Sequence, residues 1–137
     1  MKIKRISHVA IAVPDIDAAL GKLHQVLGLS IEHREVVASQ KVEAALLPLG
    51  DAAVELVQSK GNDGIDRFLQ ARGPGLHHVC FEVDDLPAAL ASLKAAGVRL
   101  LDETPRLGAR GHWVAFLDPA ATGGVLFELC AHRGDAS

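Results

Sequence analysis

The chain has 137 residues, 49% hydrophobic and 23% charged, with a formal net charge of −3, which excludes a disordered tail, a collagen-like fibre and a disulfide-stapled miniprotein. Its 14 basic and 17 acidic residues are interspersed and it has only four Phe, one Trp and no Tyr, so neither the charge footprint nor the stacking surface of a nucleic-acid binder is present. No apolar run reaches membrane-spanning length, and two cysteines, Cys80 and Cys130, are too few for a disulfide framework, so no membrane and a cytoplasmic address are expected.

Residues 1–7 are basic, with no apolar stretch of signal-peptide length behind them. Residues 8–13 are apolar and β-branched, a strand. Asp15 is placed to cap a helix that carries Leu20, Leu23 and Leu27 at helical spacing and ends at Gly28. Strands are expected at 30–35, 42–47 and 52–57. A short helix over 64–71 and a Gly73-Pro74-Gly75 turn follow. The pattern then recurs: a strand at 78–83, an Asp85 cap with Pro87 in the first turn, a helix carrying Leu86, Leu90 and Leu93 that ends at Gly97, and strands at 98–101, 114–118 and 125–130. Beyond Ala131 a short frayed tail is expected.

The recurrence is a true internal repeat. HVAIAVPDIDAALGKL, from His8, and HVCFEVDDLPAALASL, from His78, agree at eight of sixteen positions at an offset of 70. Gly50-x-x-x-Val54-Glu55-Leu56 matches Gly123-x-x-x-Phe127-Glu128-Leu129 at an offset of 73. A period near 70 is too long for a solenoid. It describes two tandem βαβββ modules in one domain, residues 1–137: module one over about 5–60, a linker helix over about 61–75 and module two over about 76–131. The fold class is α+β, with a mixed sheet that encloses one cleft if it curls.

Strand alternation turns the repeat into chemistry. Val9, Ile11 and Val13 face one way, and His8, Ala10 and Ala12 the other; Val79, Phe81 and Val83 oppose His78, Cys80 and Glu82. Glu55 and Glu128 are each flanked by apolar neighbours that face away. If the sheet curls, His8, Glu55, His78 and Glu128 converge, and two imidazoles with two carboxylates suit a divalent ion. A strand-start His is otherwise a hydrogen-bonded structural residue, and common ancestry of the two halves also explains the duplication. On the residues alone both readings stand.

The segments SHVAIAVPDIDAAL, GLHHVCFEVDDLPAAL, RLGARGHWVAFLDP and TGGVLFEL resemble the vicinal oxygen chelate (glyoxalase/bleomycin resistance) superfamily, and within it the methylmalonyl-CoA epimerases, over residues 6–129. The resemblance implies a metal on His8, Glu55, His78 and Glu128, with cobalt, nickel, manganese or zinc as the ion. It implies an acyl-CoA substrate whose α-proton is removed and returned through a metal-stabilised enolate, and a homodimer. It makes Glu128 both ligand and base and matches Glu43 to the family's second acidic position; alternation puts Glu43 with Ala45 and Leu47. Should Glu43 fail, Glu82 is the next candidate base. The family's Phe-Leu-His-Pro-Lys is here Phe116-Leu117-Asp118-Pro119-Ala120, which bears on the substrate rather than on the metal.

Two other functions share the superfamily: a glyoxalase I-type lactoylglutathione lyase with the same ligand types, and a non-catalytic small-molecule binder, which generally lacks the ligand set. Extradiol dioxygenation needs a two-His one-carboxylate iron site and a longer chain. Cys80 and Cys130 read as small buried hydrophobes, His77 as structural, Trp113 as core or pocket edge beside His112, and Arg106 and Arg110 as exposed cations or coenzyme A phosphate contacts.

Overall fold

The computed structural model describes residues 1–132; the tail expected to fray lies largely outside this range. In chain order the elements are β1 (Ile3–Ala12), α1 (Ile16–Leu27), β2 (His33–Val37), β3 (Val42–Leu49), β4 (Ala52–Ser59), α2 (Asp63–Arg72), β5 (Gly75–Val83), α3 (Leu86–Ala95), β6 (Arg106–Leu107), β7 (Trp113–Phe116) and β8 (Phe127–Ala131). Short 3-10 segments occupy Ala38–Gln40, Ala109–Gly111 and Pro119–Thr122. Two βαβββ modules of the vicinal oxygen chelate fold are thus present.

The chain divides into two compact units, one of His8–His77 and the other of His78 onwards together with Met1–Ser7. In the first, the hydrogen-bonded strand order is β2-β3-β4-β1, antiparallel except for the parallel β1–β4 pair. In the second, β6-β7-β8-β5 repeats that order, again with one parallel pair, β5–β8. The parallel pair follows from the helix and two hairpins: the crossover sets the strand after the helix running in the sense of the first, and two antiparallel reversals bring β4 beside β1 and β8 beside β5 in that same sense.

Each unit buries one face of its sheet under its own helix. Val13, Ile16, Ala45, Leu47 and Leu56 form the first core, with Ile11, Leu20 and Leu23 packed on it. Val83, Leu86, Leu90, Ala115, Leu117 and Leu129 form the second, with Phe81, Leu93 and Trp113 against it. Asp15 and Asp85 cap α1 and α3 as expected, accepting from Ala18 and Ala88 N–H groups at 3.4 and 3.0 Å. Gly28 closes α1 at φ 70°, where its N–H reaches the His24 carbonyl.

β1 and β5 begin early, at Ile3 and Gly75 rather than at 8 and 78, and several other boundaries also differ from expectation. β2 begins at His33 rather than 30, because Leu29 is still folded back on the end of α1 through the Leu23 carbonyl. The α3 cap is Ala96, and Gly97 follows it at φ 80°. Residues 98–101 form no strand beyond a single Leu100–Leu117 bridge. There the Val98 N–H bonds back to the Leu93 carbonyl, and the Asp102 carboxylate takes the Phe116 N–H at 2.8 Å, so a side chain fills the ladder position. β6 pairs with β7 instead. β8 begins at Phe127, since Gly123 and Gly124 both have positive φ and the Val125 carbonyl accepts from the Thr122 hydroxyl. Among the described residues no helix is long and apolar enough to cross a membrane.

Candidate functional site

Each unit carries one buried histidine–glutamate pair, built identically. In the first, Ile11 and Val13 turn toward α1, which leaves His8, Ala10 and Ala12 on the opposite face of β1. The parallel register sets Ala10 beside Glu55, and His8 Nε2 lies 3.7 Å from Glu55 Oε1. In the second, Cys80 stands beside Glu128, and His78 Nε2 lies 3.4 Å from Glu128 Oε1. Ala10 and Cys80 are 70 residues apart and the two glutamates 73, so the strand registers reproduce the sequence repeat. The His78 ring stands edge-on to Phe116, with centroids 5.0 Å apart, which fixes its plane.

All four side chains are buried, His8 and His78 at 7% exposure, Glu55 at 8% and Glu128 at 3%. Burying a carboxylate is costly unless hydrogen bonds or a cation compensate. Metal–ligand bonds of about 2.0–2.2 Å put neighbouring ligand atoms about 3.0–3.6 Å apart, close to both observed spacings. Each pair therefore fits two positions in the shell of a divalent ion.

The expected bases sit differently. Glu43, the second residue of β3, shares its face with Ala45 and Leu47 as expected, and that is the face toward α1. Glu55 pairs in register with Leu46, on the other face. One Glu43 oxygen accepts from Arg34 Nε at 2.6 Å, and the other lies 3.4 Å from Lys60 Nζ. The Arg34 hydrogen bond, aided by its charge and by Lys60, holds the Glu43 carboxyl below the usual carboxylate range. Arg34 also grips Asp17, in the first turn of α1, through both terminal nitrogens at 2.6 and 3.4 Å. Sequence reasoning missed this network. Arg34 lies opposite Ala45, and Val36 opposite Glu43, so Arg34 and Glu43 are diagonal neighbours, legible only once the β2–β3 register is known.

Glu82 is 1% exposed and saturated. Arg5 binds both its oxygens at 2.9 and 3.3 Å, Lys4 approaches at 3.2 Å and His132 at 3.1 Å. Burial works to raise its pKa, but the hydrogen bonds from Arg5 and Lys4 and the charge of His132 prevail and hold it low.

Cys80 and Cys130 are not joined in a disulfide and are buried against Val114. Burial, then hydrogen bonding to Cys130 and the nearby Glu128 charge, push the Cys80 thiol well up, so it is no nucleophile at neutral pH. His77 packs edge-on to Phe68. His112 stacks on His132, with centroids 4.2 Å apart. Arg106 pairs with Asp102, and Arg110 sits at φ 57° in the 3-10 segment before His112. Asp118, the departure from the family pattern, caps the 3-10 segment that follows it by accepting from the Ala120 N–H at 2.9 Å.

A sequence profile of the glyoxalase/bleomycin resistance protein/dioxygenase superfamily matches residues 7–116. The chain is 39% identical to mitochondrial methylmalonyl-CoA epimerase of Mus musculus, covering 93% of this chain and 73% of that protein. It is 38% identical to ethylmalonyl-CoA/methylmalonyl-CoA epimerase of Cereibacter sphaeroides, over 93% and 97%. A methylmalonyl-CoA epimerase solved in complex with methylmalonyl-CoA and NH4+ superposes with a TM-score of 0.91 at 31% identity, over 99% of each chain. The chain belongs to the glyoxalase/bleomycin resistance protein/dioxygenase superfamily, on its methylmalonyl-CoA epimerase branch.

Proposed function

We propose that this protein is a metal-dependent epimerase of methylmalonyl-CoA or a closely related acyl-CoA, working as a cytoplasmic homodimer. The single observation that carries the metal-dependent reading is the duplicated, buried His–Glu pair: His8 with Glu55 and His78 with Glu128. In this reading the four residues are the ligands of a divalent ion (cobalt, nickel, manganese or zinc). When bound, the ion would supply Lewis-acid stabilisation for negative charge developing on the substrate's oxygens. The similarity to epimerases over nearly the whole chain supports the reaction, and two thiols not joined in a disulfide suit a reducing compartment.

The protein's own groups do the proton work. Inversion at a carbon needs a base on each face. Glu128 serves one face, held beside His78 and next to the buried cluster of Cys80, Val114 and Cys130. Glu43 serves the other. Its carboxylate is kept ionised, the form a base requires, by Arg34 and Lys60. It stands near the start of β3 on the face toward α1, so serving the substrate would take release from Arg34 and a turn of this end of the strand. The test is deuterium wash-in at the α-carbon of methylmalonyl-CoA by metal-loaded protein. Glu43→Gln should keep the metal and lose at least about 100-fold in epimerisation. Near-normal epimerisation would remove Glu43 from the reaction.

A further inference from the structure

The cations at both its oxygens make Glu43 a weaker base, and the way it is held suggests how it is let go. A single guanidinium is divided between two carboxylates on different elements. Arg34 on β2 gives its Nε to Glu43 of β3 at 2.6 Å and its two terminal nitrogens to Asp17 of α1 at 2.6 and 3.4 Å. The five N–H groups of arginine lie in a rigid fork, so the Asp17 grip can persist when the Nε bond opens.

We propose that Arg34 is the positioning residue for Glu43, and that Asp17 is the anchor that keeps Arg34 in place when it gives the carboxylate up. The inference rests on Glu43 being the second base. The charged groups seen against Glu43 and its arginine fit the division. Asp17 on α1 is joined to it through Arg34 and is largely exposed, Lys60 approaches its other oxygen at 3.4 Å from just beyond β4, and its register partner Gln58 is neutral, its amide oxygen taking the Ile16 N–H. The Asp17 hydrogen bond is the largest influence on Arg34, ahead of the one to Glu43, and both hold the guanidinium charged. Opening the Glu43 contact therefore costs one bond of the three.

The two partners of Arg34 should move Glu43 in opposite directions. Arg34→Gln removes its strongest cation, so the Glu43 carboxyl should titrate at higher pH. Asp17→Asn leaves Arg34 with Glu43 as its sole anion in this network, so the same group should titrate lower. The measurement is the carbon-13 carboxyl titration of Glu43 in each full-length variant, alongside the pH profile of kcat/KM for epimerisation. Opposite shifts of the titration and of the acid limb are expected, with a fall of at least about tenfold in kcat/KM for each variant and partial rescue by Arg34→Lys. Shifts in the same direction, or melting temperatures that fall while titration and acid limb stay at wild-type positions, would reduce the network to a structural strut. Glu43→Gln separates the two failures: if it is inactive and the limbs do not move, only the role of Arg34 and Asp17 is lost. If it is fully active, the second-base reading fails as well.

Discussion

Glu82 illustrates how one residue can look catalytic and be structural. It shares a strand face with His78 and Cys80, so alternation alone makes it a candidate base. Its neighbours decide otherwise, because Arg5, Lys4 and His132 occupy both its oxygens. Its folded pKa lies below the ordinary glutamate value. The stability it contributes is therefore complete above that ordinary value and is lost as pH falls through the folded one. Glu82→Gln should lower stability by about 2 kcal/mol at neutral pH and flatten the loss of melting temperature between about pH 5 and pH 3. An unchanged acid slope would show that Glu82 is not the group that titrates. At His78 the expectation is reversed: His78→Ala removes a donor on the face away from the α3 core, so the chain should fold yet lose most bound metal and activity. Metal analysis and turnover check this, and full occupancy with normal rate would exclude His78 as a ligand.

At the scale of elements, the helices were legible in the sequence to within a residue or two because their ends carry their own chemistry. Asp15, Asp85 and Gly28 satisfy orphaned backbone groups locally. Asp15→Ala should cost about 1 kcal/mol, read by thermal or urea unfolding; a change below about 0.3 kcal/mol would mean that water or Gln58, which already takes the Ile16 N–H, serves as well. Strands depend on partners, and there the reading slipped. Nothing in Val98-Arg99-Leu100-Leu101 shows that Asp102 will fill the backbone ladder at Phe116. Glu43 was legible as the acid at the family's position and on the face of Ala45. Its partners were not, since Arg34 becomes its neighbour only through a hairpin whose turn, with Lys41 at φ 54°, has no signature in Ala38-Ser39-Gln40.

At the scale of the whole molecule the repeat was the most informative feature, because it linked four residues no local motif connects. An offset of 70 between strands and 73 between glutamates became two parallel pairs in which Ala10 meets Glu55 and Cys80 meets Glu128. If one ion joins those pairs, it binds the folded chain and not the unfolded one, so loading at about 100 times Kd should add about 2.7 kcal/mol. For a domain of this size that is about 10 °C in Tm. Chelation should reverse the gain, and His8→Ala and His78→Ala should each abolish it; a Tm insensitive to cobalt, nickel, manganese and zinc would argue against the ion.

The central claim, that the duplicated pairs serve proton exchange beside a thioester, is tested most directly by α-hydrogen exchange in deuterated water. Metal-loaded protein is incubated with one stereoisomer of methylmalonyl-CoA, and both deuterium content and configuration at the α-carbon are followed. The account predicts deuterium entry together with loss of configuration, both abolished by chelator and restored by a divalent ion. No exchange from methylmalonyl-CoA or ethylmalonyl-CoA by fully loaded protein, with turnover instead of the hemithioacetal of methylglyoxal and glutathione, would contradict it and assign the site to glyoxalase chemistry.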